Sequence, residues 1–296
     1  MSDLRSFPWP AIPGENGLPV WTGDGFDVGS GRRRILEYHR ATGNWSHDLT
    51  LLHERQAGSS HPLDVASRRL TLQMIRRHCR GDSPVVLDVG SSSGYLVDEF
   101  KRSMPGARLV CSDYLALPLE RLVTEHPDVP LLQFDVGRCP LPSECVDVVT
   151  AINVLEHIED DRRAVGQIAR ILKPGGLAYF EVPTHPALMG PYDEYLLHFR
   201  RYRARDLLRM CAAAGFEIVE VKHLGSLLLA PFAVAKLADR LRSLPPEAMG
   251  RRVETQIRST RRNPVVKWCL DLERALGPWI PCPSGIRCAV ALRKPA

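Results

Sequence analysis

The chain has 296 residues, 44% of them hydrophobic and 25% charged, with a formal net charge of +5; this is enough chain for one large or two small globular domains with a substantial core. Its basic side is 33 Arg against 6 Lys, dispersed without the long basic run that a nucleic-acid-binding face concentrates. The eight cysteines form no Cys-x-x-Cys pair, which argues against a zinc site or a redox dithiol and leaves reduced thiols in a cytoplasmic protein as the expectation.

Residues 1–60 are rich in Pro, Gly, Trp and Arg and have poor periodicity. They begin MSDLRSFPWPAIPGENG, with an early acid and prolines where a signal peptide needs an apolar segment. The stretch reads as an extended arm with short helices at Arg32–His39 and Leu49–Arg55, serving either as a lid on a neighbouring site or as surface packing. From Pro62 to Arg80, apolar residues at Leu63, Val65, Ala66, Leu70, Leu72, Met74 and Ile75 predict an amphipathic helix.

Strand-like runs then alternate with helical ones. The strands are Val85–Val89, Arg108–Ser112, Leu131–Phe134, Val146–Ile152, Leu177–Val182, Phe216–Val221 and Ile286–Leu292. The helices are Tyr95–Ser103, Pro118–Glu125, Arg162–Leu172 and Ala204–Ala214. Such alternation predicts an α/β fold, a doubly wound and mostly parallel seven-stranded sheet. Lys173-Pro174-Gly175-Gly176 stops one helix, Gly215 caps another, and Asp160 or Asp161 starts the Arg162 helix.

The connection from Lys222 to Ile286 is too long for a loop. It carries helical patterns at Leu227–Leu241 and Val265–Leu276 around a polar, Arg-rich segment from Pro245 to Arg262. The expected organisation is an arm (1–60), a Rossmann-like core (61–222), an inserted helical cap (223–285) and the last core strand (286–296). The longest apolar run, Leu224–Ala238, is too short to span a membrane and contains Pro231 and Lys236. It reads as a core helix, a substrate lid or a peripheral contact with lipid.

Chemistry concentrates at Val85–Leu96, VVLDVGSSSGYL, a β-branched strand that closes on an acid and opens through a small-residue turn into a helix. Gly90 and Gly94 permit positive φ and a close backbone approach, and the first amides of the following helix can face a ligand. Asp88 stands at the carboxyl end of its strand, where open α/β sheets bind ligands. Asp113 follows the second strand, where a carboxylate can accept both ribose hydroxyls. Asp135 follows the third and Asn153 the fourth.

Together these pieces closely resemble the class I S-adenosylmethionine-dependent methyltransferases of the small-molecule group. The matching motifs are Leu87-Asp88-Val89-Gly90-Ser91-Ser92-Ser93-Gly94, VLEHIED at 154–160, ARILKPGG at 169–176 and HFRRYRARDLLRMCAAAGFEIVE from His198. Ser92 departs from the pattern, standing where the family usually has its middle glycine. The resemblance implies S-adenosylmethionine as cofactor. Gly90, Ser92 and Gly94 would lie along its methionine part, Asp113 at the ribose, Asp135 and Val136 at adenine, and Asn153 near the sulfonium, with Asp88 and Tyr114 completing the cofactor-binding set. No metal ligand is implied.

Methyl transfer from a sulfonium needs alignment, exclusion of water and, for a hydroxyl acceptor, a group to take the proton. His157, His185 and His198 fall near strand ends and are the candidates. Tyr192 and Tyr195 could shape an acceptor pocket, and Arg201 and Arg203, in the cluster Arg200–Arg205, could clamp an anionic group. The expected enzyme is a methyltransferase acting on a small-molecule hydroxyl of a saccharide or secondary metabolite, anionic or partly hydrophobic, with no nucleic-acid partner. The alternatives are N- or C-methylation of a natural product, a non-catalytic adenosyl-binding protein, and an NAD-dependent oxidoreductase. The last lacks its Gly-x-Gly-x-x-Gly turn.

Overall fold

Alternation of side chains along each strand, with a period of two, decides which layer every residue joins. Along β5 (Val85–Val89), Val85 and Leu87 enter one core cluster and Val86 the other. Along β11 (Arg287–Arg293), Cys288, Val290 and Leu292 face the first cluster while Ala289 and Ala291 face the second. The sheet is therefore buried on both sides, as parallel sheets are. The computed structural model describes residues 4–39, 58–240, 246–277, 279 and 282–296.

The remaining strands are β6 (Arg108–Asp113), β7 (Leu131–Gln133), β8 (Val146–Ile152), β9 (Leu172–Pro183) and β10 (Glu217–Leu224). The main sheet has the order β10-β11-β9-β8-β5-β6-β7-β4, where β4 is Ile35–Glu37. Pairing is parallel from β9 to β4, and β11 runs antiparallel to both β9 and β10. The seven expected core strands are thus joined by an eighth from the arm.

Helices α1 (Pro62–His78), α2 (Tyr95–Ser103) and α3 (Ala116–Glu125) cover one face, burying Met74, Ile75, Phe100, Leu119 and Leu122. The other face takes α4 (Asp161–Ile171), entered through the Asp160 carboxylate that accepts the Arg163 amide at 3.0 Å. It also takes α6 (Ala204–Ala213), which ends at Gly215 with φ 90°. Between them in sequence lies the short α5 (Pro191–Tyr195).

The helix expected at Arg32–His39 is a correction. Arg32–Arg33 is β3 of a small antiparallel sheet with β1 (Val20–Trp21) and β2 (Phe26–Asp27), and β4 continues into the main sheet. The cause is tertiary. Leu36 is fully buried and its neighbours pair with the exposed edge of β7, and Trp9, Trp21 and Phe26 pack edge-to-face in the same core cluster. The helix expected at Leu49–Arg55 lies outside the described residues.

Between β10 and β11 run α7 (Leu229–Arg240), α8 (Pro246–Arg262) and α9 (Pro264–Leu276). The polar segment is itself helical, because Met249, Val253 and Ile257 form a single buried stripe four residues apart. Leu224 pairs with Arg287, and Arg287 with Pro183 at the carboxyl end of β9. Both ends of this insertion are thereby tied to the carboxyl end of β9. No helix among the described residues is long and apolar enough to cross a membrane.

Candidate functional site

The carboxyl ends of β5, β6 and β7 form one half of the site. Gly90 and Gly94 have φ of 73° and 70°, and Ser92, the family's odd member, also sits at positive φ, 44°. A side chain at Gly90 would meet the Val154 methyl 2.7 Å away, so this residue must be glycine for space as well as for φ. The amides of Gly90 and Ser91 donate to Ser112 O, and the Ser91 hydroxyl donates to Asp88 O at 2.9 Å. These bonds lock the loop to the ends of both strands.

Asp113 accepts the Ser92 amide on Oδ2 at 3.2 Å and the Leu115 amide on Oδ1 at 3.0 Å. Asp88 accepts the Thr150 hydroxyl at 2.6 Å. Burial pushes both carboxyls up to about 6, against the hydrogen bonds that favour their ionised forms. Asp135 caps a single 3-10 turn, Val136–Arg138, by accepting the Gly137 amide at 2.8 Å, and Val136 is buried. Tyr114 is half-buried, its ring 4.9 Å from that of His39 in the arm.

The ends of β8 and β9 form the other half. Asn153, at φ 52°, donates its amide to Glu181 O at 2.8 Å. The 3-10 turn Leu155–His157 follows and carries Glu156, which is 1% exposed. Burial pushes the Glu156 carboxyl up to about 8, and its Oε2 has no hydrogen-bond partner among the described residues. The rings of His157 and His198 meet edge-to-face, 4.6 Å apart. His198 Nδ1 lies 3.3 Å from Asp193 Oδ1, and burial lowers the imidazole's pKa against the pull of that carboxylate.

Asp193, wholly buried, is the hub of this half. It accepts from Arg201 Nε at 2.9 Å and Nη2 at 2.6 Å, from Lys236 Nζ at 2.7 Å and from the Gly190 amide at 3.1 Å. Burial alone would raise its pKa. His198, Arg201 and Lys236 more than offset this and hold the carboxyl well below the usual range. Lys236 itself is brought down to about 8 by burial and by Arg201.

Arg201 and Arg203, the residues expected to clamp an anionic acceptor, differ in their surroundings. The donors of Arg201 are committed to Asp193 and, through Nη1 at 3.1 Å, to Thr184 O, whereas Arg203 is exposed at the start of α6. His185, at φ 61°, has its Nε2 3.0 Å from the Ser284 hydroxyl, and so is engaged by the segment before β11. Tyr192 lies beneath Lys236 Nζ, 4.3 Å from its ring centroid. Tyr195 packs against α8, where a side chain at Gly250 would meet its hydroxyl 2.8 Å away.

Glu156, Asp193 and Lys236 were not singled out from the sequence. The one available signal was Lys236 itself, since a lysine inside an apolar run is a candidate for burial against an acid. A neighbouring buried group was equally hidden. Arg287 donates to Ser67, Glu181 and Asp64, joining β11, α1 and β9.

A mostly parallel sheet with acids at successive strand ends and a glycine-bearing turn defines a nucleotide-type site. Residues 52–221 match the methyltransferase domain family, and the chain belongs to it. It is 28% identical over 148 residues to a "Probable S-adenosylmethionine-dependent methyltransferase" of Mycolicibacterium smegmatis, covering 49% of this chain and 56% of that protein. It is 30% identical over 149 residues to the malonyl-[acyl-carrier protein] O-methyltransferase of Halalkalibacterium halodurans, covering 48% and 53%. The chain thus spans about half the length of these curated relatives. Phosphoethanolamine N-methyltransferase 2 of Haemonchus contortus, solved with S-adenosyl-L-methionine, shares the fold with a TM-score of 0.53. That match covers 83% of this chain and 57% of the other at 18% identity.

Proposed function

We propose that the protein transfers a methyl group from S-adenosylmethionine to a hydroxyl of a small molecule, a saccharide or a secondary metabolite. The observation that carries this reading is the Asp113 carboxylate, held at the end of β6 by the Ser92 and Leu115 amides. The two oxygens accept these backbone amides and keep lone pairs for a ribose hydroxyl. The positive-φ turn from Gly90 to Gly94 supplies a backbone surface beside it, so the residues present fit the group.

In this reading Asp88 and Ser92 shape the methionine end, Tyr114 adjoins the ribose, Asp135 and Val136 border adenine, and Asn153 adjoins the sulfonium. When bound, the sulfonium supplies an already activated methyl group. The chain aligns the acceptor, excludes water and receives the proton. The acceptor oxygen is assigned to the His157–His198 end, where His198 Nδ1 lies 3.3 Å from Asp193 Oδ1 and burial lowers the imidazole's pKa. Tyr192 and Tyr195 would wall the acceptor, and Arg203 would meet an anionic group on it. The arm, which brings His39 to Tyr114, would close the adenine end, and the cap, which brings Lys236 to Asp193, would close the acceptor end.

Calorimetric titration with S-adenosylmethionine and with NAD, followed by conversion to S-adenosylhomocysteine with hydroxylated acceptors, tests the reading. Binding of the sulfonium alone and turnover with a hydroxyl compound are expected. Heat from NAD alone overturns the cofactor assignment, and turnover only with amines overturns the choice of oxygen.

A further inference from the structure

We propose that Glu156, His157 and His198 together bind a divalent transition-metal cation of the zinc or manganese class at the acceptor end of the site. One ligand atom from each residue lies within 4.8 Å of the others, and two imidazoles with one carboxylate are a donor set such cations accept. The chain has no metal-binding spacing in sequence, because His198 arrives from the segment after β9 while the other two sit on the turn after β8.

Three observations favour a cation over a merely buried polar cluster. Glu156 is 1% exposed and its Oε2 has no hydrogen-bond partner among the described residues, an arrangement that costs stability unless something positive meets it. The neighbouring cations are paired with other acids: Arg201 and Lys236 with Asp193, and Arg287 with Asp64 and Glu181. Finally, His198 has Nδ1 3.3 Å from Asp193 Oδ1. A carboxylate behind an imidazole orients the ring so that the other nitrogen meets a metal.

The position has a chemical consequence. Val154, two residues before Glu156, packs against Gly90 in the cofactor turn, so the cluster borders the place assigned to the methyl donor. Three protein ligands leave a coordination position open, and a cation there would take over from the imidazoles the activation of the acceptor, lowering the pKa of its hydroxyl so that the proton leaves to solvent before the donor closes the site. The oxygen would then form its bond to the methyl carbon as the carbon–sulfur bond breaks and its electron pair stays on sulfur. This role rests on the proposed methyl transfer, whereas binding of the cation does not.

The test uses the full chain, stripped with EDTA, desalted and titrated calorimetrically with manganese and with zinc. About one cation per chain is expected, with affinity at least tenfold weaker in Glu156→Gln and in His198→Ala. Asp113→Ala, on the cofactor half, should bind the cation as the parent does. Circular dichroism establishes that each variant is folded. Absence of binding, or binding that survives both Glu156→Gln and His198→Ala, overturns the proposal. The S-adenosylmethionine titration separates the two claims, because donor binding with no cation bound sinks this inference and leaves the methyltransferase reading standing. Cation binding without donor binding does the reverse, and turnover unchanged by a bound cation sinks the role assigned to it.

Discussion

The two halves of the site are built by different means. At the proposed cofactor half, Asp113 is anchored by the amides of Leu115 and Ser92 and Asp135 by that of Gly137, while Asp88 accepts the Thr150 hydroxyl from the adjoining strand. At the acceptor half, Asp193 is satisfied by Arg201, eight residues on, and by Lys236, 43 residues on in the cap. The first half is a set of strand-end turns that each hold their own shape. The second exists only when the segment after β9, the turn after β8 and the inserted helices have all docked. A half of the first kind can keep one chemistry across relatives, while one of the second kind can be rebuilt by changing whatever docks on it.

This contrast can be broken most severely at Asp193. Asp193→Asn leaves Arg201 and Lys236 buried without their counter-charge, and removing one partner of such a group costs about 3–5 kcal/mol. Thermal unfolding should fall by roughly 10 °C; a loss below about 1 kcal/mol would mean that the hub is solvated rather than structural. At the cofactor half the effect should be on binding and not on the fold. Asp113→Ala removes charge-assisted hydrogen bonds of about 1.5–3 kcal/mol each, so donor affinity should drop roughly a hundredfold while the acceptor's KM is kept. An equal rise in both constants would show that the halves are not separable.

The same carboxylate gives a pH signature. Burial raises Asp113 to about 6, so it takes up a proton as the pH falls through that value and loses acceptor capacity for ribose. Donor affinity should hold steady above about pH 7 and weaken by about tenfold for each unit below 6, as read by calorimetry in matched buffers. A flat profile down to pH 5 would remove Asp113 from the donor site. The smallest effect is expected at Ser92, where φ of 44° strains a non-glycine residue. Ser92→Gly should leave donor affinity intact or improve it by up to about 1 kcal/mol, and a large loss would show that the serine hydroxyl itself holds the donor.

Sequence alone determined the layered α/β core and the strand-end turns proposed to hold the cofactor, because both are written in short-range patterns. Alternation marks strands such as Val85–Val89, a capping acid such as Asp160 starts a helix, and a glycine turn after a strand carries its geometry in a few residues. Tertiary structure decided the rest. Arg32–Arg33 became a strand on β2 and Ile35–Glu37 one on the edge of β7, because those edges offered partners, and Pro246–Arg262 became a helix because one stripe of three apolar residues found a surface to cover. Arg201 met Asp193, and Glu156, His157 and His198 converged from two loops. The physical reason is that backbone turns are satisfied by near neighbours, whereas a buried charge is satisfied by whatever the completed fold brings within about 3 Å, and no spacing in the chain records that meeting.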